Sequence, residues 1–309
     1  MTKFPYDRFA KDYLQELLSP FGTVETSRDV AGEVREIDVY FAPSPQSAEI
    51  DKQVLGLLGR FTTTSSVFEP FRNGVKRSEV RSCMNKLFDV FAQLEREAKR
   101  DNTTVNEESL PKLWILSPTA SESLLDGFGA KLDSQNWISG VHFLSASLRT
   151  AIVAIHQLPV TPETLWLRLL GKGQVQQRAI DEVQALEADH PLRNKSIDLL
   201  LSLKTTLELN QNLDKEDRDL VMQLSPLYEQ RLAEAKQQGI QIGVERGIEQ
   251  GMHNERRTLI ENLLRVRFGN LDEQLAAIIE PLLALPPDQF TAVLIQLSRE
   301  DLLRRFLQQ

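Results

Sequence analysis

The hydrophobic positions of this 309-residue chain change period part-way along. Up to about Thr161, short apolar runs alternate with helical stripes; beyond it the pattern is helical throughout. Phe9, Tyr13, Leu14, Leu17 and Leu18 make one helical stripe, closed at Ser19-Pro20 because proline disfavours continuing the turn. Val24–Val30 and Glu33–Phe41 read as strands joined tightly through Ala31-Gly32, the spacing of a hairpin, with Pro43 and Pro45 closing it. Gln46–Phe61 reads as a short connecting helix, Ser65–Phe71 as extended chain and Lys76–Lys99 as a long amphipathic helix. Leu113–Leu116, Gly140–Leu144 and Ala151–Ile155 read as short buried strands. The expected fold class is α/β, a mixed sheet flanked by helices, with an all-helical C-terminal extension.

The same pattern divides the chain into an α/β head over 1–160, a helical extension over 161–230 that packs on the head, a glycine-ladder helix over 231–257 and a small helical domain over 258–309. Pro162–Leu209 gives two or three helices, and Leu259–Leu307 gives three short amphipathic ones, broken at Phe268-Gly269-Asn270 and Leu285-Pro286-Pro287.

Candidate chemistry begins in the strand Glu33–Phe41 (EVREIDVYF), where a period of two places Glu36, Asp38 and Tyr40 on one face and Arg35, Ile37, Val39 and Phe41 on the other. The next strand, Ser65–Glu69, ends in a second acid. Carboxylates at adjacent strand ends can hold a divalent metal; an edge strand with its charges in water is the alternative for any single acid. Lys76, Arg77, Arg81, Lys86, Arg96, Lys99 and Arg100 make the following helix the most basic part of the head. Such a run is ordinarily a solvated face. If the head grips DNA, Lys76, Arg77, Arg81 and Lys86 are the expected phosphate contacts, being nearest the acids in sequence.

Composition narrows the classes. With 41% hydrophobic and 26% charged residues the chain is not disordered wholesale, and a net charge of −8 disfavours non-specific nucleic-acid binding over the whole surface while leaving room for a local basic groove. No apolar run reaches membrane-spanning length, and the charged start MTKFPYDRFAKDYLQ lacks the apolar core of a signal peptide, so the expected compartment is cytoplasmic. Cys83 is the only cysteine, which leaves no internal disulfide. His142, His156, His190 and His253 are too scattered for a sequence-local ligand set, and the chain has no phosphate-loop, nucleophile-elbow or H-E-x-x-H motif.

In Ala233–Glu255, Gly239, Gly243, Gly247 and Gly251 recur every four residues, with Ile240, Val244, Ile248 and Met252 one step along. Four glycines cost a helix roughly 3–4 kcal/mol relative to alanine, so a helix here needs close packing in return. The expected use is homo-oligomerisation through the glycines; intervening Glu, Arg and Gln exclude membrane insertion, and a flexible linker is the alternative.

Taken in order, REIDVYF (Arg35–Phe41), VFEPFRN (Val67–Asn73), LWILSP (Leu113–Pro118) and LPVTPETLWLRLLGKG (Leu158–Gly173) make the first two-thirds of the chain resemble the PD-(D/E)xK nuclease fold, and within it the transposase and recombination-promoting nuclease group. The resemblance implies a restriction-endonuclease-like sheet and Mg²⁺-dependent hydrolysis of DNA phosphodiesters. Asp38 and Glu69 would ligate the metal, and Glu16 on the first helix would add a further carboxylate. It also implies a lysine two residues after the second acid, where this chain has Phe71. Arg72, Lys76, Arg77, Arg81 or Lys86 would then have to supply the cation, or the protein is an inert interaction module with a nuclease-like fold. The last segment resembles the small helical domain appended to such transposases, and the glycine repeat resembles that of flagellar assembly protein H, an export-ATPase regulator.

Overall fold

A computed structural model describes residues 5–30, 35–44, 52–209 and 213–307. The expected turn at Ala31-Gly32, Pro45 and the start of the expected helix at Gln46 lie outside the described residues. Chain contacts define two units, Met1–Tyr228 and Glu229–Gln309.

The first unit is built on a seven-stranded mixed sheet. Helix α1 (Pro5–Leu18) leads into β1 (Gly22–Val30) and β2 (Arg35–Pro43), then α2 (Leu57–Phe61), β3 (Ser66–Pro70), α3 (Arg77–Arg100) and β4 (Lys112–Ser117). After α4 (Glu122–Gly127) come β5 (Lys131–Leu132), β6 (Val141–Phe143) and β7 (Thr150–Ala154), followed by α5 (Leu165–Arg168), α6 (Gln174–Ala185) and α7 (Arg193–Glu208). In space the strands run β1-β2-β3-β4-β7-β6-β5. The centre, β3-β4-β7, is parallel, and antiparallel strands extend it on both sides.

The parallel centre explains the unbroken apolar runs LWIL and AIVA, since strands covered on both faces have no solvent side to mark with polar residues. One face packs on α1, α2 and α5 to α7 through Phe9, Tyr13, Leu17, Phe68 and Trp114, with Trp114 stacked on Phe61 at 3.8 Å between ring centroids. The other face packs on α3 and α4 through Val67, Leu113, Ile115, Val80 and Leu87.

One sequence expectation is corrected on β2. Strict alternation puts Ile37 with Val39 and Phe41, yet Ile37 packs into the α3-side core while Val39 and Phe41 pack into the α1-side core. The alternation breaks at Asp38. Across the hairpin, register pairs Thr26 with Val39 and Arg28 with Ile37, which sets Ser27 opposite Asp38. Ser27 has φ +59°, the left-handed region that non-glycine residues seldom adopt. A single twisted step in β1 thus accompanies the switch of face in β2.

The division between the units falls within helix α8 (Lys215–Phe268). In the second unit it is followed by α9 (Glu273–Ala277), α10 (Ile279–Leu283), α11 (Pro287–Gln296) and α12 (Arg299–Leu307), where the sequence suggested three short helices. Ile260, Leu264, Ile278, Leu282, Phe290 and Leu294 make a separate small core there. Gly269, at φ +85°, ends α8 in the left-handed conformation that glycine adopts without steric cost. Among the described residues no helix is long and apolar enough to cross a membrane.

Candidate functional site

The ladder between β2 and β3 covers Phe41 with Ser66, Tyr40 with Val67 and Val39 with Phe68. One further step of that register brings Asp38 opposite Glu69, and there the pairing stops. From this point β2 stays with β1 while β3 stays with β4, where Glu69 pairs Ile115 and Pro70 pairs Leu116. The Asp38 N–H donates to Glu69 Oε1 at 3.4 Å, a side-chain oxygen standing in for the missing ladder carbonyl. A cavity of about 500 Å³ opens beside the divergence, lined by Asp38, Pro70, Phe71 and Arg72 with Tyr6 and Asp7 of α1.

Glu69 is only 2% exposed. Its oxygens accept two hydrogen bonds from Lys86 Nζ, at 2.7 and 3.0 Å, and one from Cys83 Sγ at 3.7 Å. Lys86 reaches it from α3, on the flank of the buried stripe Val80, Cys83, Leu87 and Val90. Burial, with the charge of Asp38 added, raises the Glu69 pKa to about 7 in spite of Lys86. Burial disfavours the Lys86 ammonium too, but the charge and hydrogen bond of Glu69 outweigh it and hold its pKa above the ordinary lysine value. The Cys83 thiol is pushed up by burial and by Glu69, which keeps it protonated.

Asp38 has its own cation. Lys11 Nζ lies 2.9 Å from Asp38 Oδ1, 3.4 Å from Asp7 Oδ2 and 3.6 Å from Glu36 Oε1, and it donates to Ser27 Oγ at 3.4 Å. Burial opposes this ammonium, and Asp38 overcomes that by hydrogen bond and charge, so its pKa too stands above the ordinary value.

Among the sequence candidates, Asp38, Glu69 and Lys86 come together. Lys86 is the partner of a buried carboxylate rather than a freely projecting phosphate contact. Glu16 is set instead against Lys195 of α7. Lys76 and Arg81 are exposed, and Arg77 donates to the Ser123 carbonyl at 2.8 Å. Arg72 lies over the Tyr6 ring, 4.1 Å from its centroid, and pairs with Asp217, so its charge is taken up away from Glu69. Phe71 packs against the α3-side core. Lys11 and Asp7 are participants that sequence reasoning missed. The available sign was the stripe Asp7-Lys11-Leu14-Leu18, which sets a lysine in line with buried leucines at helical spacing.

A larger cavity of about 600 Å³, lined by Val54, Leu165 and Trp166, lies apart from these residues. Its walls are mostly apolar, and the Arg60–Glu163 pair there, at 3.9 Å, is solvent-exposed. No family model, curated protein or solved structure matches the chain.

Breaking the Lys86–Glu69 pair has a pH signature. A carboxyl whose folded pKa is raised contributes stability that is complete below its unfolded value of 4.5 and is lost as pH rises through about 7. Lys86→Met therefore costs little at pH 5, where the acid is neutral in both proteins, and more at pH 8, where the variant lacks the ammonium that favours the carboxylate in wild type. The expected loss is about 3–5 kcal/mol at pH 8 and markedly less at pH 5, by urea denaturation against wild type. An equal loss at both pH values would refute the pairing.

Proposed function

We propose that the head is a metal-dependent phosphodiesterase acting on DNA, with a restriction-endonuclease-like arrangement in which Asp38 and Glu69 hold the metal and Lys86 supplies the cation absent at Phe71. The observation that carries this is the direct juxtaposition of Asp38 and Glu69 at diverging strands, with an ammonium 2.7 Å from Glu69. The donors suit Mg²⁺: they are hard oxygens, and Mg²⁺ commonly takes one or two carboxylates and completes its octahedron with water and phosphate oxygens. Among the described residues no group of three or more His, Cys, Asp or Glu side chains is placed to hold a metal ion, so Asp38 and Glu69 would need water and phosphate to complete the shell. The repulsion from Asp38 that raises Glu69 is what a divalent cation would relieve.

When bound, the metal would polarise the scissile phosphate and lower the pKa of an attacking water. The chain's own part is positional. Lys86 holds both Glu69 oxygens and fixes that carboxylate; its remaining N–H is the donor for the water or for the phosphate oxygen on which charge develops. Exposed Lys76, which lines the cavity, and exposed Arg81 on α3 are the proposed contacts to flanking phosphates.

A second reading has its own observation: each acid already has a lysine, so the quartet is satisfied as a structural network in a catalytically inert interaction protein. A plasmid-nicking assay with Mn²⁺ or Mg²⁺ separates the two. Wild type is expected to nick, with Asp38→Ala and Lys86→Ala each reducing the rate at least about 100-fold, the scale of losing a general acid–base group. Undiminished nicking by Asp38→Ala would point to a contaminant, and no nicking by wild type would favour the inert network.

For the second unit we propose homo-oligomerisation through the glycine face of α8. A Cβ built at Gly239, Gly243, Gly247 or Gly251 meets nothing within 4 Å, while Ile240, Val244, Ile248 and Met252 beside them are 51–59% exposed. Knobs and grooves side by side on one helix make that surface its own complement. A four-residue period exceeds the 3.6 of the helix, so the stripe winds right-handed and suits a steep crossing of i±4 ridges rather than a left-handed coiled coil. Gly243→Leu with Gly247→Leu raises helix propensity by roughly 1–2 kcal/mol yet fills the grooves, so the variant is expected to be more helical and less associated. Sedimentation equilibrium decides: an oligomer that survives the double substitution, or a monomeric wild type, rules this reading out.

A further inference from the structure

Lys112 opens β4 two residues before Trp114 and so shares its side of the strand. Its ammonium lies among three rings, 4.7 Å from the centroid of Phe143, 5.1 Å from Trp114 and 5.9 Å from Trp137, all within cation–π reach. Rings attract a cation but offer it no oxygen, and among the described residues Lys112 has neither a carboxylate nor a hydrogen-bond partner. Arg149 stands beside it where β7 begins, its carbonyl accepting from the Leu113 N–H at 2.9 Å. With φ +43°, Arg149 turns its guanidinium back on the chain before β4, donating from Nη2 to the carbonyls of Leu110 and Glu108 and from Nε to that of Pro111. Its Nη1 has no acceptor among the described residues.

A cavity of about 350 Å³ opens at this point, lined by Lys112, Arg149, Asp133, Trp137, Phe143 and Thr150 among others. Asp133 forms no ion pair among the described residues; its carboxylate accepts instead from the Asn136 amide, at 3.0 and 3.2 Å, and from the Asn136 N–H at 3.3 Å. Two half-buried cations therefore share a cavity wall with no acid set against either. Burial, with the charge of Arg149 added, holds the Lys112 pKa below the ordinary lysine value. An anion in the cavity reverses both effects. Volume decides what carries that anion: the cavity has room for on the order of ten waters at about 30 Å³ each, more than an inorganic oxyanion fills. Half-buried Trp137 and Phe143 supply an apolar wall for the remainder.

We propose that this cavity binds a small organic anion, its carboxylate or phosphate group on Lys112 and Arg149 and its apolar body against Trp137 and Phe143. The site lies at the other end of the parallel strands from the acid pair, since Lys112 pairs Ser66, where β3 begins, and Glu69 pairs Ile115. It stands whether or not Asp38 and Glu69 hold a metal.

The test is isothermal titration calorimetry of the full chain without divalent metal, with phenyl phosphate and benzoate as probes and inorganic phosphate and benzyl alcohol as controls. At least one aryl anion is expected to bind, one per chain, about tenfold or more tighter than either control. Lys112→Met is expected to weaken it at least about tenfold, and Lys112→Arg, which keeps the cation, to retain it. Tighter binding of phenyl phosphate than of benzoate assigns a phosphate ligand, and the reverse a carboxylate. If Lys112→Met does not fold, reductive methylation of wild type located by peptide mass spectrometry replaces it: protection of Lys112 by the tighter probe supports the site, and unchanged methylation overturns it. Undiminished binding by folded Lys112→Met, a control that binds as tightly as the aryl anions, or no binding of either aryl anion also overturns the proposal.

Discussion

The end of the β2–β3 ladder is the constraint on which the site depends. Up to Val39 and Phe68 the two strands share backbone hydrogen bonds and fix a register; one residue later they part, each held by its other neighbour. Register places Asp38 and Glu69 opposite each other, and where the strands diverge a cavity lined by Asp38 opens in place of a continued sheet. Had the ladder run on, the Asp38 N–H would have found a carbonyl and both carboxylates would have lain against sheet neighbours. Instead a side-chain oxygen caps the last donor. Ser27 at φ +59° belongs to the same device, since it lets β2 change face at Asp38 without losing its pairing with β1.

Placing a second acid so close to a buried one is unfavourable, and the cations around them are best understood as the response. Glu69 feels both burial and Asp38, and the ammonium of Lys86 leaves its pKa still near 7. Lys11 does the corresponding work for Asp38 and carries Asp7 and Glu36 as well. Each lysine comes from a different helix on a different face of the sheet, α1 and α3, so the charge cluster joins the two cores that the sheet separates. Neither helix could rotate about its axis by a residue without stranding a buried charge. The cluster therefore sets the azimuth of both helices more sharply than apolar packing alone would.

Much of this was legible in the chain. Apolar runs in β4 and β7 and the stripes of α1 and α3 are period signals, and the succession of elements brought Asp38 and Glu69 to neighbouring strands. Lys86 was one of several basic residues from which a cation might come; choosing it requires knowing which side of α3 meets β3, a tertiary fact. Lys11 stayed hidden because a lysine four residues after an aspartate reads as an exposed helix pair, and only the packed sheet shows that it is buried. The face switch at Asp38 was hidden for a local reason. A left-handed step is announced in sequence by Gly or Asn, and here it falls on Ser27.

Phe71 closes the apolar layer where β3 ends. Its N–H donates to the Leu116 carbonyl at 2.8 Å, so the backbone beyond β3 still follows β4, and its ring packs among the apolar residues under α3. Lys86 meets Glu69 from across that layer with its ammonium at the carboxylate and its methylene stem along α3, so the apolar contacts are kept. Phe71 thus completes the core where the strand ends, and α3, packed on that core, carries Lys86 to Glu69.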